Sequence, residues 1–260
     1  MLALVVVAYN QAESLERLAA AARAARGTSA LHLFLHSDHP ETVATCERLA
    51  AESDVSYHPH RRNRGVAASW NDGVLAAYGD GADFVVVAND DVVPAAGDLD
   101  RVADRAERFR DRYIVSCAGP HEGLGERLPS HGYSFFALNP VALETIGCFD
   151  ENFFPVYGED QDYARRAALA GLSEANCADT EVVHRGSAAI RTSADLARQN
   201  AVTQALNIAY YVRKWGGDAG SERFSTPFGR TDVGLRIDPS DRAAPYGPGL
   251  DRADRSVVAV

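Results

Sequence analysis

The chain has 260 residues, 46% of them hydrophobic, enough to bury the core of one large domain and too much for wholesale disorder. Its net charge of -10 leaves no concentrated basic face for a phosphate backbone, so nucleic acid is excluded as a partner. Cys46, Cys117, Cys148 and Cys177 form no CxxC pair, which excludes a zinc knuckle and a disulfide framework and predicts reduced, buried thiols.

Met1 to Ala8 is apolar but too short to span a membrane, and no basic n-region or cleavage site accompanies it. It reads as the first strand of a cytoplasmic protein without a transmembrane segment. The continuous β-branched run Leu2 to Val7 suits a strand buried on both faces of a parallel sheet. Asn10 and Glu13 have capping-box spacing, and Leu15, Leu18 and Ala22 share one helical face. A second strand and helix follow: Leu31 to Leu35, a break at Ser37 and Asp38, then Pro40 in a first helical turn and the stripe Val43, Cys46, Leu49. A short strand at Val55 to Tyr57, a helix marked by Val66, Trp70 and Val74, and a strand at Phe84 to Ala88 complete the series. Repeated βα units predict a doubly wound α/β domain, with ligands in a crevice beyond the carboxyl ends of the strands, lined by Tyr9, Ser37, Asp38 and Asn89 to Asp91.

Past Pro94 the pattern predicts a helix at Leu99 to Phe109, a strand at Tyr113 to Ala118 and a glycine-rich loop from Gly119 to Gly132. Asn139 and Pro140 open a short helix as cap and first turn; Gly158 precedes a helix from Glu159 to Ala170, which Gly171 ends. Glu181 to His184 is expected as a strand and Thr192 to Trp215 as one long helix. Beyond Gly216 the richness in Gly, Pro, Asp and Arg predicts an irregular or disordered tail.

Four segments carry the polar chemistry. Asn89-Asp90-Asp91 places oxygen ligands at a strand's carboxyl edge, where a hard divalent cation bridges phosphates, although the same residue types build ordinary turns. Glu159, Asp160 and Asp162 crowd one helix N-terminus; capping accounts for one or two, while a third beside Phe153, Phe154 and Tyr157 points to an acceptor platform with a general base. His184 either completes a mixed nitrogen and oxygen metal site or is structural. Arg61-Arg62-Asn63-Arg64-Gly65 is either a diphosphate contact or a solvated surface run.

In this order the segments resemble glycosyltransferase family 2, the inverting enzymes of the GT-A fold, and especially its rhamnosyl- and galactofuranosyltransferase-like members. The resemblance spans roughly residues 3 to 215 and rests on Val5 to Asn10, Asn63-Arg64-Gly65 with Asn71, and Asn89-Asp90-Asp91. More specific are the run Gly147 to Phe154, then Glu159-Asp160-Gln161-Asp162-Tyr163 with Arg166 and Gly171, then His184.

The implied architecture is a GT-A-type, mostly parallel sheet flanked by helices: a nucleotide-binding half over 1–92, an acceptor half over 93–190, a C-terminal helix over 191–215 and an irregular tail over 216–260. The implied reaction moves a sugar from a nucleoside-diphosphate donor, with uridine or thymidine as the expected base, to a hydroxyl of a glycan, lipid-linked or small-molecule acceptor. A homodimer is compatible with it. Carried over by residue, the resemblance makes Asp91 and His184, with Asn89, ligands of Mn²⁺ or Mg²⁺ and Asp160 the general base, with Tyr157 and Glu159 beside the acceptor. Ala8, Tyr9, Asn10 and Asp38 fall at the nucleoside, and Asn63, Gly65, Asn71 and Asp90 near the ribose, diphosphate or sugar.

Two positions depart from the family pattern: the metal motif opens with the neutral Asn89, and the second strand ends His36-Ser37-Asp38. A missing QxxRW signature argues against a processive synthase. The rival readings are a nucleotidyltransferase making nucleotide sugars, for which the GxGTR-like loop after the first strand is lacking, and a non-catalytic nucleotide-sugar-binding module, which Asn89 in place of an acid would favour.

Overall fold

The computed structural model describes residues 1–60, 62–186, 194–247 and 249–251. Strands β1 (Leu2–Ala8), β2 (Thr28–Leu35), β3 (Val55–Pro59) and β4 (Phe84–Asn89) alternate with helices α1 (Ala12–Ala24), α2 (Pro40–Leu49) and α3 (Val66–Gly79). Then follow β5 (Val92–Val93), α4 (Asp98–Arg108), β6 (Ile114–Cys117), β7 (Gly119–His121), β8 (Glu126–Leu128), β9 (Phe135–Leu138), α5 (Pro140–Thr145), α6 (Glu159–Leu169), β10 (Ala175–Cys177), β11 (Val183–His184) and α7 (Ala194–Trp215). Seven strands form the main sheet in the order β10-β6-β9-β4-β1-β2-β3. All neighbours are parallel except β9, which runs antiparallel between β4 and β6. The expected mostly parallel sheet flanked by helices is what forms.

Side chains alternate across β1 as the pleat requires. Leu2, Leu4, Val6 and Ala8 meet Leu15, Leu18, Cys46 and Leu99 from α1, α2 and α4. Ala3, Val5 and Val7 meet Ala67, Trp70, Val74 and Tyr163 from α3 and α6. All four cysteines are free and buried.

Several local expectations give way to longer-range contacts. Asn10 and Glu13 do not form a capping box: Gln11 is the N-cap of α1 and no side chain caps it. Asn139 is the N-cap residue of α5, as expected, but only its backbone carbonyl caps the helix, accepting the Ala142 amide at 3.0 Å; its Nδ2 donates to the carbonyls of Phe109 and Arg112, both at 2.9 Å. The stretch expected as a loop at 119–132 contains the β7-β8 hairpin, which joins β5 and β11 in a second sheet of order β5-β11-β7-β8. Of the long C-terminal helix, Thr192 and Ser193 lie outside the described residues, as does Arg61 in the basic loop. Among the described residues no helix is long and apolar enough to cross a membrane.

The segment after α7 is irregular, and it packs against the body. Ile237, 1% exposed, takes a hydrogen bond from the amide of Cys148 at 2.9 Å and gives one to the carbonyl of Ile146 at 3.0 Å. Arg242 pairs with Asp72 on α3, which also receives Arg64.

A charge cluster closes this side of the molecule. Lys214 Nζ lies 2.8 Å from Asp150 Oδ2 and 2.6 Å from Asp162 Oδ1, and Arg166 Nε lies 2.9 Å from Asp162 Oδ2, all with fully buried side chains. Tyr210 and Trp215 donate to the same carboxylates, each at 2.9 Å. Burial by itself would raise the Asp150 carboxyl, but the Lys214 charge and the bonds from Lys214, Asn152 and Tyr210 outweigh it and hold the group below the ordinary range. Two anions and two cations cancel, so each survives without water only while the others are present.

Lys214→Met is therefore expected to lower stability by about 3–5 kcal/mol, since it strands a carboxylate in the interior. A urea midpoint equal to wild type would contradict this reading of the cluster. Gly119 generates a second expectation: a Cβ there would stand 2.0 Å from the carbonyl oxygen of Val182, so Gly119→Ala should push β7 off the chain leading into β11 at a cost of about 1–3 kcal/mol, read from the same titration.

Candidate active site

From β1 the chain passes to β2 on one side and later returns to β4 on the other, which makes the carboxyl ends of β1 and β4 the topological switch point where a crevice opens. Asp90, just past β4, holds the two ends together. Its Oδ2 accepts the backbone N–H groups of Tyr9, Asn10 and Gln11 at 2.7, 2.9 and 3.0 Å. This carboxylate satisfies the amides of the turn that leads from β1 into α1. Burial pushes its carboxyl up to about 6 against the pull of those donors. Burial, followed by the charges of Asp38 and Asp90, likewise raises the Tyr9 phenol.

The second sheet brings His184 to Asp91 from 93 residues away. Strand β11 pairs antiparallel with β5, setting His184 opposite Val92, and the Arg185 amide donates to the Asp91 carbonyl at 2.9 Å. His184 Nε2 then stands 3.4 Å from Asp91 Oδ2, with the side chains 15% and 12% exposed. Two donors that each reach an ion at about 2.1 Å span up to ~4.2 Å, so a carboxylate oxygen and an imidazole nitrogen at this separation fit a divalent cation. Among the described residues no group of three or more His, Cys, Asp or Glu is placed to hold a metal ion. An ion held by this pair would keep positions open for phosphate oxygens and water, as a catalytic site requires. Asn89 Oδ1 accepts from Trp70 Nε1 at 3.3 Å.

Over this pair lies a cavity of about 280 Å³. Tyr9, Asn89, Asp90, Asp91 and His184 line it from the strand ends, Asn63 and Gly65 from the loop before α3, and Tyr157 from the loop before α6. Asn63 Oδ1 accepts the Gly65 amide at 2.9 Å, which turns the chain into α3. The loop before α6 is fastened at both ends. The Pro155 carbonyl accepts the Val66 amide at 2.8 Å. Asn207 of α7, 1% exposed, donates to the carbonyls of Val156 and Tyr157, both at 2.8 Å, and accepts the Phe154 amide at 3.3 Å.

Other expected residues lie away from the cavity wall. Ala8 is fully buried in β1 and Asp38 is exposed. Asn10 is half-buried and accepts from Gln11 Nε2. Asn71 is 2% exposed and turned to the interior, where it accepts the Phe149 amide at 2.8 Å and donates to the Phe149 carbonyl at 3.0 Å and to Glu151 at 3.1 Å. Glu159 is 3% exposed, and burial, then the neighbouring Asp160 charge, pushes its carboxyl well up. Asp160 is half-buried in the first turn of α6, accepts the Gln161 amide at 2.8 Å, and is also raised by burial.

Sequence reasoning passed over His36, Ser69 and the α7 residues Gln199, Asn200 and Thr203, all of which line the cavity. For Asn207 a signal existed: it shares a helical face with Thr203, Tyr210 and Lys214, all buried, and an amide in such a stripe must have partners.

Residues 3–166, more than half of the chain, match the family described as Glycosyl transferase family 2. A galactofuranosyl glycosyltransferase of Leishmania donovani is 36% identical over 78 residues, which is 30% of this chain and 17% of that protein, so the chain spans a small part of that relative's length. The mannosyltransferase PcManGT from Pyrobaculum calidifontis, solved in complex with GDP-Man and Mn²⁺, superposes with a TM-score of 0.58 at 19% identity over 84% of this chain and 65% of that one. S. aureus TarS in complex with UDP superposes with a TM-score of 0.55 at 14% identity over 82% of this chain and 71% of that one. At those identities the likeness is one of fold, and the shared fold is GT-A. With the switch-point crevice, the Asp91 and His184 pair and the match over residues 3–166, the chain belongs to glycosyl transferase family 2.

Proposed function

We propose that the chain is an inverting glycosyltransferase that moves a sugar from a nucleoside-diphosphate donor to an acceptor hydroxyl with the help of Mn²⁺ or Mg²⁺. The observation that carries this is the Asp91 and His184 pair, 3.4 Å apart at the edge of the cavity that also holds Tyr9 and Asn63. Solved relatives in fold with GDP-Man and Mn²⁺, and with UDP, support the same donor class.

Tyr9 and Asp38 would hold the nucleoside, and Asn63 and Gly65 would meet the ribose or diphosphate at the N-terminus of α3, where the helix dipole favours anions. A divalent cation on Asp91 and His184 would neutralise charge gathering on the leaving diphosphate. Asp160 would take the proton from the acceptor hydroxyl as its oxygen attacks the anomeric carbon. The bond from that carbon to the phosphate oxygen breaks, and its electron pair leaves with the nucleoside diphosphate. Attack opposite the leaving group inverts the anomeric centre without a covalent enzyme intermediate. Tyr157 and Glu159 would border the acceptor; burial, then the Asp160 charge, pushes the Glu159 carboxyl well up.

Asp160→Asn should cut turnover by about 10²–10⁴ while donor affinity stays close to wild type, because a positioned base contributes that much to proton transfer. A base acts when ionised, and burial holds the Asp160 carboxyl above the ordinary aspartate range. Turnover should therefore rise with pH along an acid limb centred above the ordinary aspartate range, and the residual rate of Asp160→Asn should lack that limb. Near-normal transfer by the variant would remove Asp160 from the mechanism.

Thermal shifts with UDP, dTDP and GDP, with and without Mn²⁺, give a separate check. At least one should raise the melting temperature in a Mn²⁺-dependent way, and His184→Ala should lose the Mn²⁺-dependent part without melting earlier when empty. Binding without transfer to any acceptor would instead mark a nucleotide-sugar-binding module.

A further inference from the structure

His184 does not stand alone beside Asp91. Its ring is met edge-on by two further imidazoles: His121 of β7, with ring centres 4.7 Å apart and planes at 71°, and His131, at 5.4 Å and 82°. Each flanking ring is itself tied down. The His131 ring places Nε2 2.8 Å from the Val182 carbonyl. A carbonyl only accepts, so Nε2 carries the proton and donates; the backbone amide of His131 is anchored as well, to the Cys117 carbonyl at 2.7 Å. His121 Nδ1 accepts the Leu124 amide at 3.2 Å, which leaves the proton on its Nε2. His121 also sits beside His184 in the register of β7 and β11. Gly186, two residues past His184, has φ +64°, and a Cβ on it would stand 2.5 Å from Cε1 of His121, so the chain closes over that ring at a distance only glycine allows.

We propose that His121 and His131 are positioning residues that clamp the His184 imidazole with Nε2 facing Asp91, so that the pair is set for a divalent cation before one arrives. The inference rests on reading Asp91 and His184 as the cation's ligands. A histidine free to rotate about χ1 and χ2 would have to be ordered on binding, at a cost in affinity. Two edge-to-face neighbours bear that ordering during folding. Hydrogen-bonded groups that orient a ligating histidine are worth about 10–100-fold in metal affinity, and that range sets the scale for the two rings.

The test is the affinity of the full chain for Mn²⁺ alone, with the free ion followed by electron paramagnetic resonance, alongside the affinity for UDP in chelator and the melting temperature. His131→Phe keeps a ring but loses the bond to Val182. Because that also leaves a buried carbonyl without its donor, His121→Leu, on a partly exposed residue, is the second variant. Each is expected to bind Mn²⁺ about 10–100-fold more weakly while metal-free UDP affinity holds. Wild-type Mn²⁺ affinity in both variants overturns the inference. So does a parallel loss of Mn²⁺ and UDP affinity, which marks general loosening. His184→Ala separates the levels: if it too binds Mn²⁺ like wild type, the cation reading under Proposed function falls; if it alone loses Mn²⁺, only the clamp falls.

Discussion

Four buried charges govern how the second half of this molecule is put together. Asp150 comes from the loop after α5, Asp162 and Arg166 from α6, and Lys214 from the end of α7, and none of the four is exposed. Low-dielectric surroundings make such a set stable only as a whole. Its members therefore have to converge, and convergence decides where α7 runs. With α7 in place, Asn207 reaches the loop before α6, and Gln199, Asn200 and Thr203 face the cavity. An electrostatic requirement far from the strand ends thus shapes the wall of the crevice.

The floor of the crevice answers to a different constraint. Parallel strands that diverge at a switch point leave backbone amides without partners, and Asp90 takes three of them. That use of Asp90 frees Asp91 to face the cavity. A two-residue strand after Asp91 is enough to pair with β11 and deliver His184. The two adjacent aspartates divide the work: Asp90 holds backbone, and Asp91 meets His184.

Much of the first half was legible in the sequence because its signals are local. The β-branched runs at Leu2 to Val7 and Phe84 to Ala88, Pro40 in a first helical turn, and the stripe Leu15, Leu18, Ala22 all report their own surroundings. What stayed hidden depends on distant partners. Phe135 to Leu138 carries no alternation, since β9 is buried on both faces between β4 and β6. The β7-β8 hairpin has three-residue strands, Gly-Pro-His and Glu-Arg-Leu, too short for a period to emerge. Asn71 has the composition of a ligand-binding residue; only the packing of Phe149 against α3 turns its amide inward. The same limit applies to the segment after Gly216, whose composition says nothing of Ile237 docking on the Ile146 to Cys148 backbone.

Asp72 of α3 receives both Arg64, beside the cavity, and Arg242, which lies 170 positions along the chain. On the ribosome, the strands β1 to β4 and their helices have emerged long before either Lys214 or Arg242. Until then the strand ends of β1 and β4 stand without the residues of α7 that line the cavity. Completion of the pocket waits until these later residues have emerged, when remote contacts close over it.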